Sequence, residues 1–139
     1  MRKTGNDLIA AVLDDGEQVS GGIELIVNEC KTDSAMVLSG IGMLRNAEIG
    51  YWNGSGYEIA KFPMPHELVS MSGSVADMDG KKSVHLHVAL GGEDHRGISG
   101  HLISAEVNNI VELTMKTFPA GSFGRKFSEK TKLNMLYFR

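Results

Sequence analysis

The amino-acid sequence predicts an α+β domain whose sheet is mostly antiparallel, open or curled into a half-open barrel, with one main helix near the N-terminus. Three observations carry that prediction. One early stretch has apolar residues at helical spacing, most of the remaining chain alternates with a period of two, and the separators between alternating runs are rich in glycine or proline. With 139 residues and 42% apolar content the chain can bury one core. It is read as one domain over residues 1–139, with a short C-terminal tail at about 118–139.

The first strand is expected over Asp7 to Leu13, ended by Asp14-Asp15-Gly16. A helix follows, because Val19, Ile23, Ile26 and Cys30 recur on one face, with Asp15 as N-cap and Glu17 suited to the first turn. Gly21-Gly22 weakens it by about 1 kcal/mol each relative to alanine, so packing must hold it. Strands are then expected over Ser34 to Trp52, Tyr57 to Phe62, Glu67 to Ala76, Ser83 to Leu90, Ile98 to Val107 and Ile110 to Thr117. Between them lie Asn53-Gly54-Ser55-Gly56, Pro63-Met64-Pro65, Asp77 to Lys81 and Gly91 to Gly97.

Composition narrows the function classes. No apolar run reaches the length of a membrane span, and the N-terminal residues do not form a secretory leader, so a cytoplasmic protein without membrane association is expected. The single Cys30 cannot pair internally and sits on the helix's apolar stripe, where a buried structural thiol is the simplest reading. A net charge of −3 argues against sequence-independent binding to a polyanion. Basic residues from Lys116 to Arg139 are interleaved with Phe118, Phe123, Phe127, Tyr137 and Phe138, a pattern open to base stacking or to packing on the body or a neighbouring subunit.

The chemistry-bearing feature is His85-Leu86-His87 followed by His101. Val84, Leu86, Val88 and Leu90 alternate with the histidines, which places both imidazoles on one side of a strand and the apolar residues on the other. A hairpin centred near Glu93 sets His85 opposite His101, about 5 Å apart at Cβ, with His87 on the diagonal at roughly 7–8 Å. A slip of one residue would turn His101 to the other face. Three converging imidazoles suit zinc and leave its fourth position open; the alternative is a cluster that only hydrogen-bonds at a subunit interface. Because neutral imidazole is the ligand, binding should weaken below about pH 6.

Other candidates each have a plainer reading. Glu93 and Asp94 suit second-layer acceptors or a base for metal-bound water, or simply a solvated turn. His95 is a fourth ligand, a gate or a solvated loop residue, and His66 opens a strand after Pro65. Gly40-x-Gly42 with Arg45 is not followed by a helical pattern, which removes a dinucleotide cradle; the glycines fit a bulge or close backbone approach, and Arg45 remains a candidate anion contact.

Read together, Val37 to Arg45, Glu67 to Val75, His85 to Leu90 and Ser99-Gly100-His101-Leu102 resemble the PPC domain, the "plants and prokaryotes conserved" family, over nearly the whole chain. The resemblance implies an α+β fold, homotrimeric assembly and a regulatory association with DNA or a protein partner. No Arg-Gly-Arg-Pro core occurs, so the chain is similar to stand-alone members that lack a minor-groove anchor. The fold is further similar to acetolactate decarboxylase, a zinc enzyme whose His-x-His pair and later histidine match His85, His87 and His101; Ser99 stands where that context has glycine. The expected function is a homotrimeric, zinc-holding binding and assembly module, with a zinc-dependent lyase or hydrolase for a small oxoacid as the alternative.

Overall fold

A computed structural model describes residues 2–139. One helix and nine strands follow in the order β1 (Arg2–Thr4), β2 (Leu8–Asp14), α1 (Val19–Glu29), β3 (Ala35–Trp52), β4 (Tyr57–Phe62), β5 (His66–Met78), β6 (Lys81–Gly91), β7 (Gly97–Thr117), β8 (Phe123–Ser128) and β9 (Leu133–Phe138). They form one curled sheet in the order β1-β2-β7-β3-β5-β8-β9, with β4 added to β3 and β6 paired to both β5 and β7. All pairs are antiparallel except a single parallel bridge, Asp77 to Gly124, that ties β8 to β5. This is the α+β, mostly antiparallel arrangement expected, without closure into a barrel.

Helix α1 lies on β7 and β6 and fills the inner face of the curl. Val19, Ile23 and Ile26 are fully buried there, and Cys30 packs partly buried against the same cluster. Leu86, Val88 and Leu90 of β6 meet them with Leu102, Val107, Val111 and Met115 of β7. The alternation in β6 therefore sends its aliphatic side chains inward, and His85 and His87 leave on the outer face.

The helix begins later than its sequence signals imply. Gln18 is the N-cap and makes no side-chain cap bond. Asp15 accepts instead from the Arg45 guanidinium and the Asn109 amide, a long-range use of its carboxylate that outcompetes local capping. Glu17 Oε2 accepts the Asp14 amide at 2.6 Å.

Strand β7 is also longer than expected. The predicted break at Asn108-Asn109 is a kink within one strand, with Asn109 at φ 68°. Gly42 explains the neighbouring bulge: its φ is 142°, and a Cβ there would lie 2.1 Å from the Ile110 carbonyl oxygen. The residues read as a C-terminal tail form the β8–β9 hairpin, and Phe123 is buried between Phe118 and Phe138.

Candidate metal centre

Strands β6 and β7 form a hairpin whose register pairs His87 with His101, Ala89 with Ser99 and Gly91 with Gly97. The centre is thus Asp94 rather than Glu93, and the expected partners exchange places: His87 lies opposite His101 and His85 is diagonal. The cause is the turn, where His95 takes a left-handed conformation at φ 62° and Gly92 bonds Arg96 across the loop. Moving the centre by one residue changes each partner by two, which preserves the face.

All three imidazoles therefore meet on the outer face, each offering a nitrogen within 4.8 Å of the others. Ring centroids are 5.1 Å apart for His85 and His87, 4.9 Å for His85 and His101, and 5.6 Å for His87 and His101. His87 is exposed and the other two are half-buried. Two neighbouring strands fix the rings. A Cβ on Gly73 of β5 would sit 1.9 Å from the His85 carbonyl oxygen, so glycine allows the backbones to close behind that ligand. Tyr57 of β4 stacks on His101 at 4.6 Å and 19° between planes.

The electrostatics favour the neutral form of two of the rings, His85 and His101. Burial, then the positive Arg125 and the neighbouring imidazoles, push His85 down to about 4. Burial, His87 and Arg125 also lower His101. His85 Nε2 and His101 Nδ1 are buried without a hydrogen-bond partner among the described residues, a state polar atoms rarely hold. Three convergent imidazoles, two of them half-buried with an unsatisfied nitrogen, fit a metal ion's donor set. Zinc bound to such a set supplies Lewis-acid polarisation and an open coordination position.

Three expected neighbours are elsewhere. Arg45 lies in the middle of β3 opposite Glu106, where its Nε donates to Glu106 Oε1 at 2.7 Å and Nη1 to Asp15 at 2.8 Å; two carboxylates hold it, so it does not reach the histidines as an anion contact. Glu93 and Asp94 stand in the turn beyond the ends of β6 and β7, with Asp94 accepting the Arg96 amide, and do not line the histidine pocket. His95 and His66 share a separate cleft with them, where His66 Nδ1 lies 2.7 Å from the Met64 carbonyl oxygen.

The residue that sequence reasoning placed only in a basic tail is Arg125. From β8 it reaches the pocket of about 600 Å³ lined by His85, His101, Tyr57, Ser74 and Val84. Its Nη2 donates to Ser74 Oγ at 2.7 Å and Nη1 to the Asn134 carbonyl at 3.1 Å. Ser74 itself pairs with His85 across β5 and β6. A signal was available: the polar run Ser128 to Lys132 separates two short aromatic segments, which is a hairpin pattern.

Fold and site together define a small sheet domain that presents three imidazoles at metal-ligand spacing. The profile of the Plants and Prokaryotes Conserved (PCC) domain matches residues 2–119, and the chain belongs to this family, written PPC above. A metal-containing protein from Archaeoglobus fulgidus is 31% identical, with a TM-score of 0.86 over 98% of this chain and 96% of that one. A PPC protein from Pyrococcus horikoshii is 25% identical, with a TM-score of 0.86 over 99% and 96%. A "putative DNA-binding protein" from Ralstonia eutropha is 25% identical, with a TM-score of 0.88 over 99% and 95%. No curated protein matches the sequence.

Proposed function

We propose that the chain works as a homotrimeric, zinc-holding binding and assembly module in the cytoplasm, serving regulation through DNA or a protein partner. The observation that carries the metal is the convergence of His85, His87 and His101 nitrogens within 4.8 Å. Zinc is the ion that three neutral imidazoles with an open position suit best. The name of the Archaeoglobus fulgidus relative supports a metal at this fold.

The trimer is supported by an uncovered apolar face. Val12, Glu112 and Ile41 lie in one row across β2, β7 and β3, and Ala10, Thr114 and Ser39 in the next. Leu8, Leu38, Ile41 and Ile110 are exposed there, around a groove of about 600 Å³. Exposed aliphatic side chains around a groove that also carries Glu112, Thr114 and Ser39 are costly to leave in water and fit further copies of the same chain. Among the described residues no helix is long and apolar enough to cross a membrane. The DNA role draws on the name of the Ralstonia relative, and the charge of −3 limits direct contact to low salt.

Elemental analysis of protein purified without added metal tests the core of the reading, with about one zinc per chain expected. Metal-free protein that also fails to take up zinc on titration would overturn it. Sedimentation at the mass of a single chain at micromolar concentration would remove the trimer, and a low-salt mobility-shift assay without any shift would remove direct DNA contact.

A zinc-dependent lyase or hydrolase acting on a small oxoacid is the second reading. The Arg125 guanidinium in a partly apolar pocket favours it. The pocket has no carboxylate to serve as a base, which makes binding the better-supported role.

A further inference from the structure

Strands β1, β4 and β9 each pair with a single neighbour, which leaves one row of backbone amides and carbonyls open on each. Native sheets protect such edges with short strands or charged residues, because an open edge is a template for a further strand. Two of the three are protected here. Strand β1 has three residues and contains Arg2 and Lys3, and β4 contains Glu58 and Lys61. Strand β9 is different: Leu133-Asn134-Met135-Leu136-Tyr137-Phe138 has six residues with no charge, proline or glycine among them. Met135, Tyr137 and Phe138 are exposed on it. The Arg139 amide bonds the Ser122 carbonyl across the hairpin. Alternation along the antiparallel ladder then turns the amides and carbonyls of Asn134, Leu136 and Phe138 away from β8. Leu133, Asn134, Met135 and Leu136 line the 600 Å³ pocket in succession, so open space borders the strand along its edge rather than on one face.

We propose that the open edge of β9 receives an extended, acidic segment of a partner protein as an added strand. The inference rests on the protein-partner branch of the role proposed above and names that partner's chemistry. Main-chain hydrogen bonds to the outward groups of Asn134, Leu136 and Phe138 supply the attachment, and the exposed Met135, Tyr137 and Phe138 cover apolar or β-branched residues of the incoming strand. Charge selects the segment's sign. Between Phe123 and Arg139 stand Arg125, Lys126, Lys130, Lys132 and Arg139 against Glu129 alone. Lys132 pairs with Glu129 and Arg139 with Asp77, whereas the exposed Lys126 and Lys130 have no ion pair among the described residues. A second copy joined β9 to β9 would set two such basic hairpins side by side, which like charges oppose. The chain's other open edges are not acidic either, so neither complements β9. A nucleic acid would meet the lysines but leave the alternating amides and carbonyls of the edge unmatched.

The test titrates the full chain with a labelled peptide of alternating valine and threonine that has paired aspartates at both ends, followed by fluorescence anisotropy. Two control peptides replace the aspartates by lysines or methylate alternate backbone nitrogens. The aspartate peptide should bind saturably, and each control should bind at least about tenfold more weakly. Hydrogen exchange at the Leu136 and Phe138 amides should slow when the aspartate peptide is bound. Leu136→Pro removes an outward amide, a change that edge strands tolerate, and should weaken the peptide by at least about tenfold. Lys126→Glu with Lys130→Glu should do the same, and thermal melts establish that the variants fold. If Leu136→Pro does not fold, the methylated peptide and the exchange rates decide on the wild-type chain. No saturable binding, equal affinity for the methylated peptide, or unchanged exchange at both amides would overturn the proposal. A smaller assembly mass for folded Leu136→Pro than for wild type would assign the edge to a second copy and overturn it too. Zinc content and the DNA shift are read independently, so failure here removes the edge site and leaves the metal reading to its own test.

Discussion

Two arginines divide this molecule. Arg45 bridges Asp15 and Glu106 and also reaches Asn108, and its guanidinium is raised above its ordinary value by those carboxylates. It clamps the turn before α1 to β3 and β7. Arg125 reaches a pocket without an acid, and its guanidinium is lowered by burial. One region closes its charge balance internally and is structural. The other keeps two buried imidazole nitrogens and one guanidinium nitrogen unsatisfied, which is the signature of a surface shaped for something outside the chain.

The largest effect that would sharpen this contrast is the loss of a ligand. His101→Ala should lower zinc affinity by at least about a hundredfold, since even residues that merely support ligands cost 10–100-fold. Isothermal or competition titration reads it, and Arg45→Met should leave zinc affinity unchanged. Stability then separates the arginines by sign. Arg45→Met should lower the thermal midpoint by stranding the half-buried Glu106, whereas Arg125→Met should leave it equal or higher, because it removes a half-buried cation that no carboxylate pairs. A fall of equal size in both would erase the distinction. Zinc should raise the wild-type stability by about 2.7 kcal/mol at a hundredfold excess over Kd, and should do so little in His101→Ala.

Acid gives the most diagnostic effect. His85 is held at about 4 in the folded chain against an ordinary 6.5, so between these values the unfolded chain binds more protons. Its contribution to metal-free stability is complete above 6.5, declines as pH falls and is fully lost below about 4. Denaturant melts across that window should show the decline in wild type and a shallower one in His85→Gln. The same neutrality should let zinc stay bound to lower pH than it does on a flexible histidine peptide.

Much of the fold was legible because alternation survives without knowledge of partners. Leu86, Val88 and Leu90 pointed inward wherever β6 paired, which forced His85 and His87 outward together. The exact pairing was not legible, because it depended on which residue of the Gly91 to Gly97 loop took the left-handed turn conformation, and it is His95 rather than one of the glycines. Arg45 was misplaced because glycines beside a basic residue suggest an anion site, and Glu106, which neutralises it, is distant in sequence. Arg125 escaped notice for the converse reason. Its neighbours in space, Ser74 and His85, come from strands whose contact with β8 rests on one parallel bridge that no local pattern announces.

The central claim is most directly tested by metal content per chain, measured by plasma emission on wild type and on the His85→Ala/His87→Ala/His101→Ala variant after equilibration with zinc and gel filtration. About one zinc per wild-type chain and essentially none in the folded triple variant is the predicted result. Equal zinc in both, or none in either, would contradict it.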